Sequence, residues 1–148
     1  MKITSVFNQG EKIPVKYTAD GENINPSLEV IGIPSDIKSL VLIVDDPDAP
    51  AGTWVHWVVI NISPEINTIR ENSIPKGAIQ VTNSAGEKNY HGPAPPSGVH
   101  HYFFKIYALD TFLSLTEDKT KKDIEKAMQN HIIDKAELIG IYSRDKLS

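Results

Sequence analysis

The sequence predicts a mainly β protein whose strands pair in antiparallel sheets, and three observations support this. Short apolar runs, rich in β-branched and aromatic residues, alternate with turns containing proline, glycine and asparagine over the first three quarters of the chain. No helix of crossover length separates one run from the next, and parallel strands would need such a connection. Only one segment, near the C-terminus, has the periodicity of an amphipathic helix.

Three long apolar runs predict the central strands of a sheet. The first, residues 39–44, ends at the proline-rich segment 45–50. The second, residues 54–61, stops before Ser63 and Pro64, and the third, residues 101–109, is rich in aromatic residues. Shorter strands are predicted at residues 3–7, 15–18, 28–31, 78–82 and 138–142.

One helix is predicted at residues 121–130, with Thr120 as its N-cap. The residues that fall on one face of this helix are Ile124, Ala127, Met128 and Ile132. That face should pack on a sheet, so Met128 is expected to be a core residue rather than a ligand contact. The longest stretch without a predicted element is 83–99, and its glycines and prolines favour a shaped, functional loop.

Composition limits the classes of function. A chain of 148 residues without linker or repeat predicts one domain, 1–148. The net charge of -4 argues against nucleic acid or an anionic membrane as the main partner. The absence of cysteine excludes disulfides, thiolate metal sites and a cysteine nucleophile. No apolar segment has the length of a signal peptide or a membrane span, which predicts a cytoplasmic protein.

The first segment with unusual side chains, Asp46-Pro47-Asp48-Ala49-Pro50, directly follows a predicted strand. Two prolines fix the backbone around two carboxylates and lower the entropy lost in presenting them to a ligand. The alternative is an Asx-type turn, in which a carboxylate accepts hydrogen bonds from nearby amides, and this is the favoured interpretation for Asp48. Asp46, nearer the strand, is the better candidate for a functional residue.

The second candidate is His56, inside an apolar strand. The faces predicted by alternation are Trp54, His56 and Val58 on one side and Val55, Trp57 and Val59 on the other. A single histidine in such a strand is more often a buried, hydrogen-bonded imidazole than a ligand, so His56 alone is weak evidence.

The third candidate is the segment 90–102, Tyr-His-Gly-Pro-Ala-Pro-Pro-Ser-Gly-Val-His-His-Tyr. Its glycines permit close approach to the backbone, and its prolines hold the loop open. His100 and Tyr102, two residues apart, share a strand face. Two histidines, a tyrosine, an aspartate and a glycine amide would together form a receptor for an oxyanion. The alternative is a proline-rich surface turn with histidines facing solvent.

Residues 46–50, 54–57 and 92–102 resemble, in order and separation, the signature blocks of the phosphatidylethanolamine-binding protein family, which includes Raf kinase inhibitor protein. Asp20-Gly-Glu-Asn followed by Pro26, and residues 136–144, resemble flanking blocks of its bacterial and archaeal branch. The resemblance covers nearly the whole chain.

This resemblance implies a fold in which a large antiparallel sheet packs on a smaller one, with a few peripheral helices. It also implies a pocket for phosphate, a related oxyanion or a phospholipid head group. The residues at the family's pocket positions are Asp46 and His56 on one wall, Gly92, Pro93, His100 and Tyr102 on the other, and Trp54. Asp48, from the same acidic block, is included in the predicted ligand site.

We interpret the chain first as a non-catalytic binding or regulatory protein without a cofactor. Its small anionic ligand would be held by amides near Gly92, the Tyr102 hydroxyl and one or both imidazoles. Asp46 is itself negative, so it should orient a histidine and raise the pKa of that histidine, and binding should then weaken as pH rises.

Other functions stay open. Inhibition of chymotrypsin- or elastase-type serine proteases, reported for some family members, would use a stiff loop at 83–99 or 45–53, and kinase inhibition is known among animal relatives. The less favoured alternatives are a hydrolytic triad of Asp46, a histidine and Ser97, and a metal site of Asp46, His56 and His100. The sequence also leaves open whether the chain forms a homodimer.

Overall fold

The computed structural model describes residues 1–145. Within these residues the chain forms eight β-strands, one α-helix and one turn of 3₁₀-helix. The strands are β1 (Lys2–Ser5), β2 (Leu28–Ile31), β3 (Ser39–Asp46), β4 (Trp54–Ile62), β5 (Thr68–Ile69), β6 (Ile79–Val81), β7 (His100–Leu109) and β8 (Ile132–Tyr142). The helix, α1, spans Lys121–Met128, and the 3₁₀ turn spans Val15–Tyr17.

The strands form two antiparallel sheets. The larger has the order β6-β4-β3-β7-β8, and the smaller has the order β1-β2-β5. Each pair of neighbouring strands in either sheet is antiparallel. The predicted fold class, a large antiparallel sheet packed on a smaller one, is confirmed. The three longest predicted runs became β4, β3 and β7, the three inner strands of the larger sheet.

Strand β3 lies at the centre of the fold, and all eight of its residues are buried. Leu40, Leu42 and Val44 join the core between the two sheets, whereas Val41 and Ile43 join a second core beneath α1. A strand that is covered on both faces needs apolar residues at every position. This explains why β3 is a continuous apolar run in the sequence.

Helix α1 covers the second face of the larger sheet with Ile124 and Met128, both buried. Met128 is thus a core residue, as predicted. Thr120 is the N-cap, also as predicted, and it forms a capping box with Asp123. Among residues 1–145, no helix has both the length and the apolar character needed to cross a bilayer.

The prediction that Ile132 belongs to this helical face was wrong. Asn130 has a φ of 68°, the left-handed conformation in which helices commonly end, and the chain then reverses into β8. Ile132 begins that strand with 41% of its surface exposed. Strand β8 also starts six residues before the predicted strand 138–142, because Asp134, Lys135 and Glu137 interrupt its apolar pattern.

The predicted strand at residues 15–18 was also wrong. The backbone there turns, with the Tyr17 N–H donating to the Pro14 carbonyl and the Thr18 N–H donating to the Val15 carbonyl, each at 3.0 Å. Proline fixes the φ of residue 14 and favours such a turn. Strand β5, at Thr68–Ile69, was missed because two residues are too few to show a period.

Candidate ligand-binding site

A cavity of about 200 Å³ opens at the end of the larger sheet, where β3 stops and β4 and β7 begin. The antiparallel register brings these strand ends together. Asp46, the last residue of β3, pairs with Trp54, the first of β4, and Asp45 pairs with Phe103 near the start of β7. The loop between β6 and β7 supplies the remaining wall. The three segments singled out in the sequence therefore meet at one place.

A β-bulge in β4 aims His56 into this cavity. Val44 of β3 pairs with Trp57, but the next residue of β3, Asp45, pairs with Val55. His56 is therefore the extra residue of the bulge, without a partner in β3. Bulges of this kind break the strict alternation of side chains and often re-aim one of them beside a functional site.

The bulge corrects the predicted assignment of strand faces. The ring of His56 contacts the ring of Tyr102 at a centroid distance of 5.3 Å, and Trp57 lies in the same core cluster as Tyr102. Val58, predicted to share a face with His56, instead lies in the cluster beneath α1. Trp54, predicted on the same strand face as His56, does line the cavity together with it.

Asp46 and His100 form a buried pair on the cavity floor, with 3% and 6% of their surfaces exposed. The imidazole Nδ1 lies 2.6 Å from the Asp46 Oδ2. Because a carboxylate accepts hydrogen bonds, Nδ1 carries the hydrogen and Nε2 is left for a ligand. The other Asp46 oxygen accepts the backbone N–H of Asp48 at 2.8 Å, which completes an Asx-type turn. Asp46 therefore orients a histidine, and that histidine is His100.

His56 is held by a different acceptor. Its Nδ1 lies 2.5 Å from the carbonyl oxygen of His91, so Nδ1 donates and Nε2 is the nitrogen left for a ligand. Burial lowers the pKa of His56 to about 4, although the His91 carbonyl and the Asp46 charge act in the opposite direction. The ring is therefore neutral at pH 7.

Tyr102 lies between the two histidines. Its ring stacks near that of His100, with centroids 6.4 Å apart, and it meets the His56 ring edge-on. Its hydroxyl oxygen is buried and has no hydrogen-bond partner among residues 1–145. Burial, assisted by the nearby negative charge of Asp46, raises the pKa of Tyr102, so the hydroxyl keeps its proton and can donate it in a hydrogen bond.

The upper walls of the cavity are apolar. Trp54, 38% exposed, forms one side. The other apolar lining residues are Ala49, Pro50, Ala94, Pro95 and Pro96. No lysine or arginine lines the cavity in the described part of the chain. The site thus combines a polar floor with an apolar mouth, an arrangement typical of pockets for small molecules.

Gly92 and Pro93, both predicted as ligand contacts, are not among the residues that line the cavity. The Gly92 N–H donates to the Asn23 side-chain oxygen at 2.7 Å, and the Pro93 carbonyl accepts the Ala19 N–H at 2.9 Å. A Cβ at Gly92 would approach the Tyr17 carbonyl oxygen to 2.6 Å. The glycine thus permits close packing of two loops, and its amide is engaged within the protein.

Asp48, the remaining predicted ligand contact, also lies outside the cavity lining. Its carboxylate accepts the backbone N–H of His101 at 2.8 Å and the His101 ring at 2.7 Å. The hydrogen bond from the His101 ring lowers the pKa of Asp48, with smaller contributions from that backbone bond and from nearby charge. Asp48 therefore joins the β3–β4 loop to the start of β7, which holds the cavity floor in place.

The flanking blocks anchor the site from outside. Asp20 accepts a hydrogen bond from the Tyr142 hydroxyl at 2.8 Å and pairs with Arg144 at 2.9 Å. Tyr142 is the register partner of His100. The Tyr90 hydroxyl donates to the Tyr17 carbonyl at 2.6 Å. The first and last segments of the chain are thus joined around the loop that covers the cavity.

Sequence reasoning missed the role of His91, whose carbonyl sets the orientation of His56 and whose ring lines the cavity. The available signal was its place beside Gly92 in the loop already singled out. Ser97 is exposed, forms no hydrogen bond among the described residues and does not line the cavity, so the imagined triad is not assembled. Residues 1–145 contain no group of three or more histidine, aspartate, glutamate or cysteine side chains placed to hold a metal ion.

Comparison with known proteins gives a consistent result. The model of the family described as phosphatidylethanolamine-binding protein matches residues 3–143. A UPF0098 protein of Methanothermobacter thermautotrophicus is 49% identical over 146 residues, which cover 95% of this chain and 97% of the relative. A UPF0098 protein of Chlamydia trachomatis is 44% identical over 151 residues, covering 98% of this chain and all of the relative, 100%.

Two solved structures are similar along nearly their whole length. A phosphatidylethanolamine-binding protein homologue from Chlamydia trachomatis superposes with a TM-score of 0.93 at 44% identity, covering 97% of each chain. YbcL of E. coli, described as a new member of the mammalian family, superposes with a TM-score of 0.91 at 28% identity, covering 97% of this chain and 98% of its own.

Proposed function

Because this chain belongs to the phosphatidylethanolamine-binding protein family, we propose that it is a non-catalytic binding protein whose cavity takes a small oxyanion, such as phosphate or a phosphorylated head group. The observation that carries the proposal is the convergence of His56, His100 and Tyr102 on one buried floor beside Asp46. Each of the three brings a polar atom without an assigned protein partner toward the same space.

The Tyr102 hydroxyl, unpaired within residues 1–145, is the strongest single support for a ligand in this cavity. A buried hydroxyl without a partner costs about 1–3 kcal/mol, and a folded protein retains such a group where it serves a ligand. The cavity volume of about 200 Å³ matches the liquid volume of about six or seven water molecules. That space suits a phosphoryl group with a small substituent. Because the mouth of the cavity is apolar, an apolar substituent is favoured.

A binding role is favoured over catalysis by the composition of the lining. Among the described residues that line the cavity there is no serine, threonine, cysteine or lysine to act as a nucleophile. The two histidines are each fixed through Nδ1, one by a carboxylate and one by a carbonyl. This arrangement serves to orient hydrogen bonds toward a ligand.

The proposal is tested by calorimetric titration of the purified protein with phenyl phosphate. We expect saturable binding that Tyr102→Phe and His100→Gln each weaken by about tenfold or more, the effect of losing one hydrogen bond to a charged group. His131→Gln is a matched control, because His131 also donates Nδ1 to an aspartate, Asp110, at 2.7 Å but is exposed. Equal affinity in all of these variants would reject the cavity as the site.

Protease inhibition is the second candidate function, and the fixed geometry of the loop at 82–99 favours it. Asn83 holds the base of the loop by accepting the N–H groups of Ala85 and Glu87, each at 3.0 Å, while Val99 near its other end is 47% exposed. A rigid loop loses little entropy when it enters a protease cleft. Stoichiometric inhibition of elastase or chymotrypsin that Val99→Asp abolishes would support this function, and no inhibition at micromolar protein would reject it.

A further inference from the structure

The cavity floor offers a ligand a hydrogen-bond acceptor where an anion would need a donor. His56 Nδ1 donates to the His91 carbonyl at 2.5 Å, so the proton of the neutral ring is on the side away from Nε2. Nε2 therefore carries a lone pair. A fully deprotonated oxyanion has only acceptors and would leave this nitrogen unpaired or repel it.

The charges around the cavity also disfavour a fully deprotonated oxyanion. Asp46 is the acidic side chain of the floor, and in the described chain no lysine or arginine lines the cavity to offset a dianion. Three cations of neighbouring segments pair with other carboxylates: Lys105 and Lys121 lie within 3.1 Å of Asp45, and Arg144 pairs with Asp20. A ligand of low charge is therefore favoured over a dianion.

The neutral state of His56 is consistent with its surroundings. The titratable groups that act on it are Asp46, Asp45 and His91, and of these the two aspartates favour the charged ring. Burial outweighs them and lowers the pKa of His56 to about 4. Near neutral pH the proton for a hydrogen bond at Nε2 must therefore come from the ligand.

From this geometry we propose that the cavity selects oxyacid esters that carry a proton, in particular the monoanion of a phosphomonoester, whose P–O–H group donates to His56 Nε2. Esters of equal charge without that proton, namely sulfate monoesters and phosphodiesters, bind more weakly. The Tyr102 hydroxyl supplies a complementary donor to one of the unprotonated oxygens. This inference rests on the proposed oxyanion site and names its ligand class.

The proposal has a proton-linkage consequence. A phosphomonoester has a second pKa of about 6, so at neutral pH it is mostly a dianion. Binding of the monoanion at pH 7.5 therefore takes up nearly one proton from solution. Calorimetry in two buffers of different ionisation enthalpy measures this uptake, and a sulfate ester provides the control because it has no such proton to gain.

The decisive experiment compares phenyl phosphate, phenyl sulfate and methyl phenyl phosphate on the intact protein between pH 5.5 and 7.5. At pH 5.5 we expect phenyl phosphate to bind about tenfold more tightly than either other ester, since an unpaired buried acceptor costs 1 kcal/mol or more. The ratio of phenyl phosphate to phenyl sulfate affinity should fall about 25-fold by pH 7.5, following the monoanion fraction. The ratio cancels any titration of the protein itself.

A variant of His56 supplies a second readout. Glutamine in His56→Gln places an amide that can donate as well as accept near the ligand, so the preference for phenyl phosphate should shrink toward equality. His131→Gln should keep the wild-type preference. The wild-type pH series stands without the variant, whatever the stability of His56→Gln.

The outcomes are distinguishable. Phenyl sulfate or methyl phenyl phosphate binding within twofold of phenyl phosphate at pH 5.5 overturns the selection for a protonated ester and leaves the oxyanion site intact. A phosphate preference that rises with pH means that the dianion is bound and likewise overturns it. Failure of all three esters to bind overturns both this inference and the proposed function.

Discussion

Replacing Tyr102 by phenylalanine removes one oxygen from the cavity floor and leaves the ring in its place. The hydroxyl is buried and has no hydrogen-bond partner within residues 1–145, so the folded protein loses no contact when it is removed. A buried hydroxyl in this state costs about 1–3 kcal/mol, and water in the adjoining cavity would reduce that cost. We therefore expect Tyr102→Phe to raise the free energy of unfolding by about 1 kcal/mol, or the Tm by about 2–4 °C for a chain of this length.

The same substitution should weaken binding of phenyl phosphate by about tenfold or more, because the ligand loses a donor. Urea unfolding followed by circular dichroism measures the first effect, and calorimetric titration measures the second. Tyr107→Phe is the matched control, since Tyr107 lies on the same strand but packs on the core beneath α1. It should change stability by less than about 0.5 kcal/mol and leave affinity unchanged. A Tyr102→Phe protein destabilised by 1 kcal/mol or more would refute the reasoning, because the hydroxyl would then have a stabilising partner.

The stability of the wild-type protein should fall as pH drops from 6.5 toward 4, because unfolded His56 takes up a proton in this range while folded His56, with its pKa lowered to about 4, does not. His56 can lower the free energy of unfolding by at most about 1.4 kcal/mol per pH unit. Chemical unfolding of His56→Gln across the same pH range should not show this fall. Gly92→Ala should destabilise the fold by about 1–3 kcal/mol in urea unfolding, since the added Cβ would lie 2.6 Å from the Tyr17 carbonyl oxygen. Asp45→Asn should cost about 2 kcal/mol by the same assay, because the 1% exposed Asp45 side chain lies 2.8 Å from the Lys121 ammonium, which still reaches solvent in part.

Controls separate these effects from general damage. His131→Gln, at a ring outside the cavity and the core, is the control for the effect of a histidine-to-glutamine change itself. Glu125→Gln removes a longer, half-exposed contact to Lys121, at 3.9 Å, and should cost less than about 0.5 kcal/mol. If Gly92→Ala left the free energy of unfolding unchanged, the packing argument would be contradicted. If Asp45→Asn left it unchanged, the charge argument would be contradicted.

The central part of the fold could be predicted from the sequence because burial on both faces leaves a plain signal. β3 has an unbroken apolar run at residues 40–44, and its two neighbours are long enough to show their pattern despite polar residues at their ends. Strands with polar residues inside them could not be predicted over their full length. The charged residues Asp134, Lys135 and Glu137 lie in β8 because each is paired along β7, a long-range register that no local pattern reveals.

The candidate site, too, could be predicted from the sequence only in part. The predicted residues that line one cavity are Asp46, His56, His100, Tyr102 and Trp54, and they meet there because each lies at or near the end of a strand. The way His56 enters the cavity depends on a bulge, which is a property of two paired strands rather than of β4 alone.

The hydrogen-bond partner of the Gly92 amide could not be predicted from the sequence. Its amide was expected to face the ligand, but it donates to Asn23, which lies 69 residues earlier in the chain. A glycine permits close approach of either a ligand or another backbone, and the residue alone does not distinguish the two. The Asp20–Asn23 block was noted in the sequence only for its resemblance to a flanking block of the family.

Imidazole NMR can observe directly whether a small oxyanion binds on the floor formed by His56 and His100. The chain has five histidines, so each ring can be assigned and followed while phenyl phosphate is added. We predict saturable shifts of the His56 and His100 ring nitrogens with one common dissociation constant, and no shift of His131, which lies in an exposed pair. Shifts that do not saturate, or that move His131 as much as the two cavity histidines, would contradict the claim.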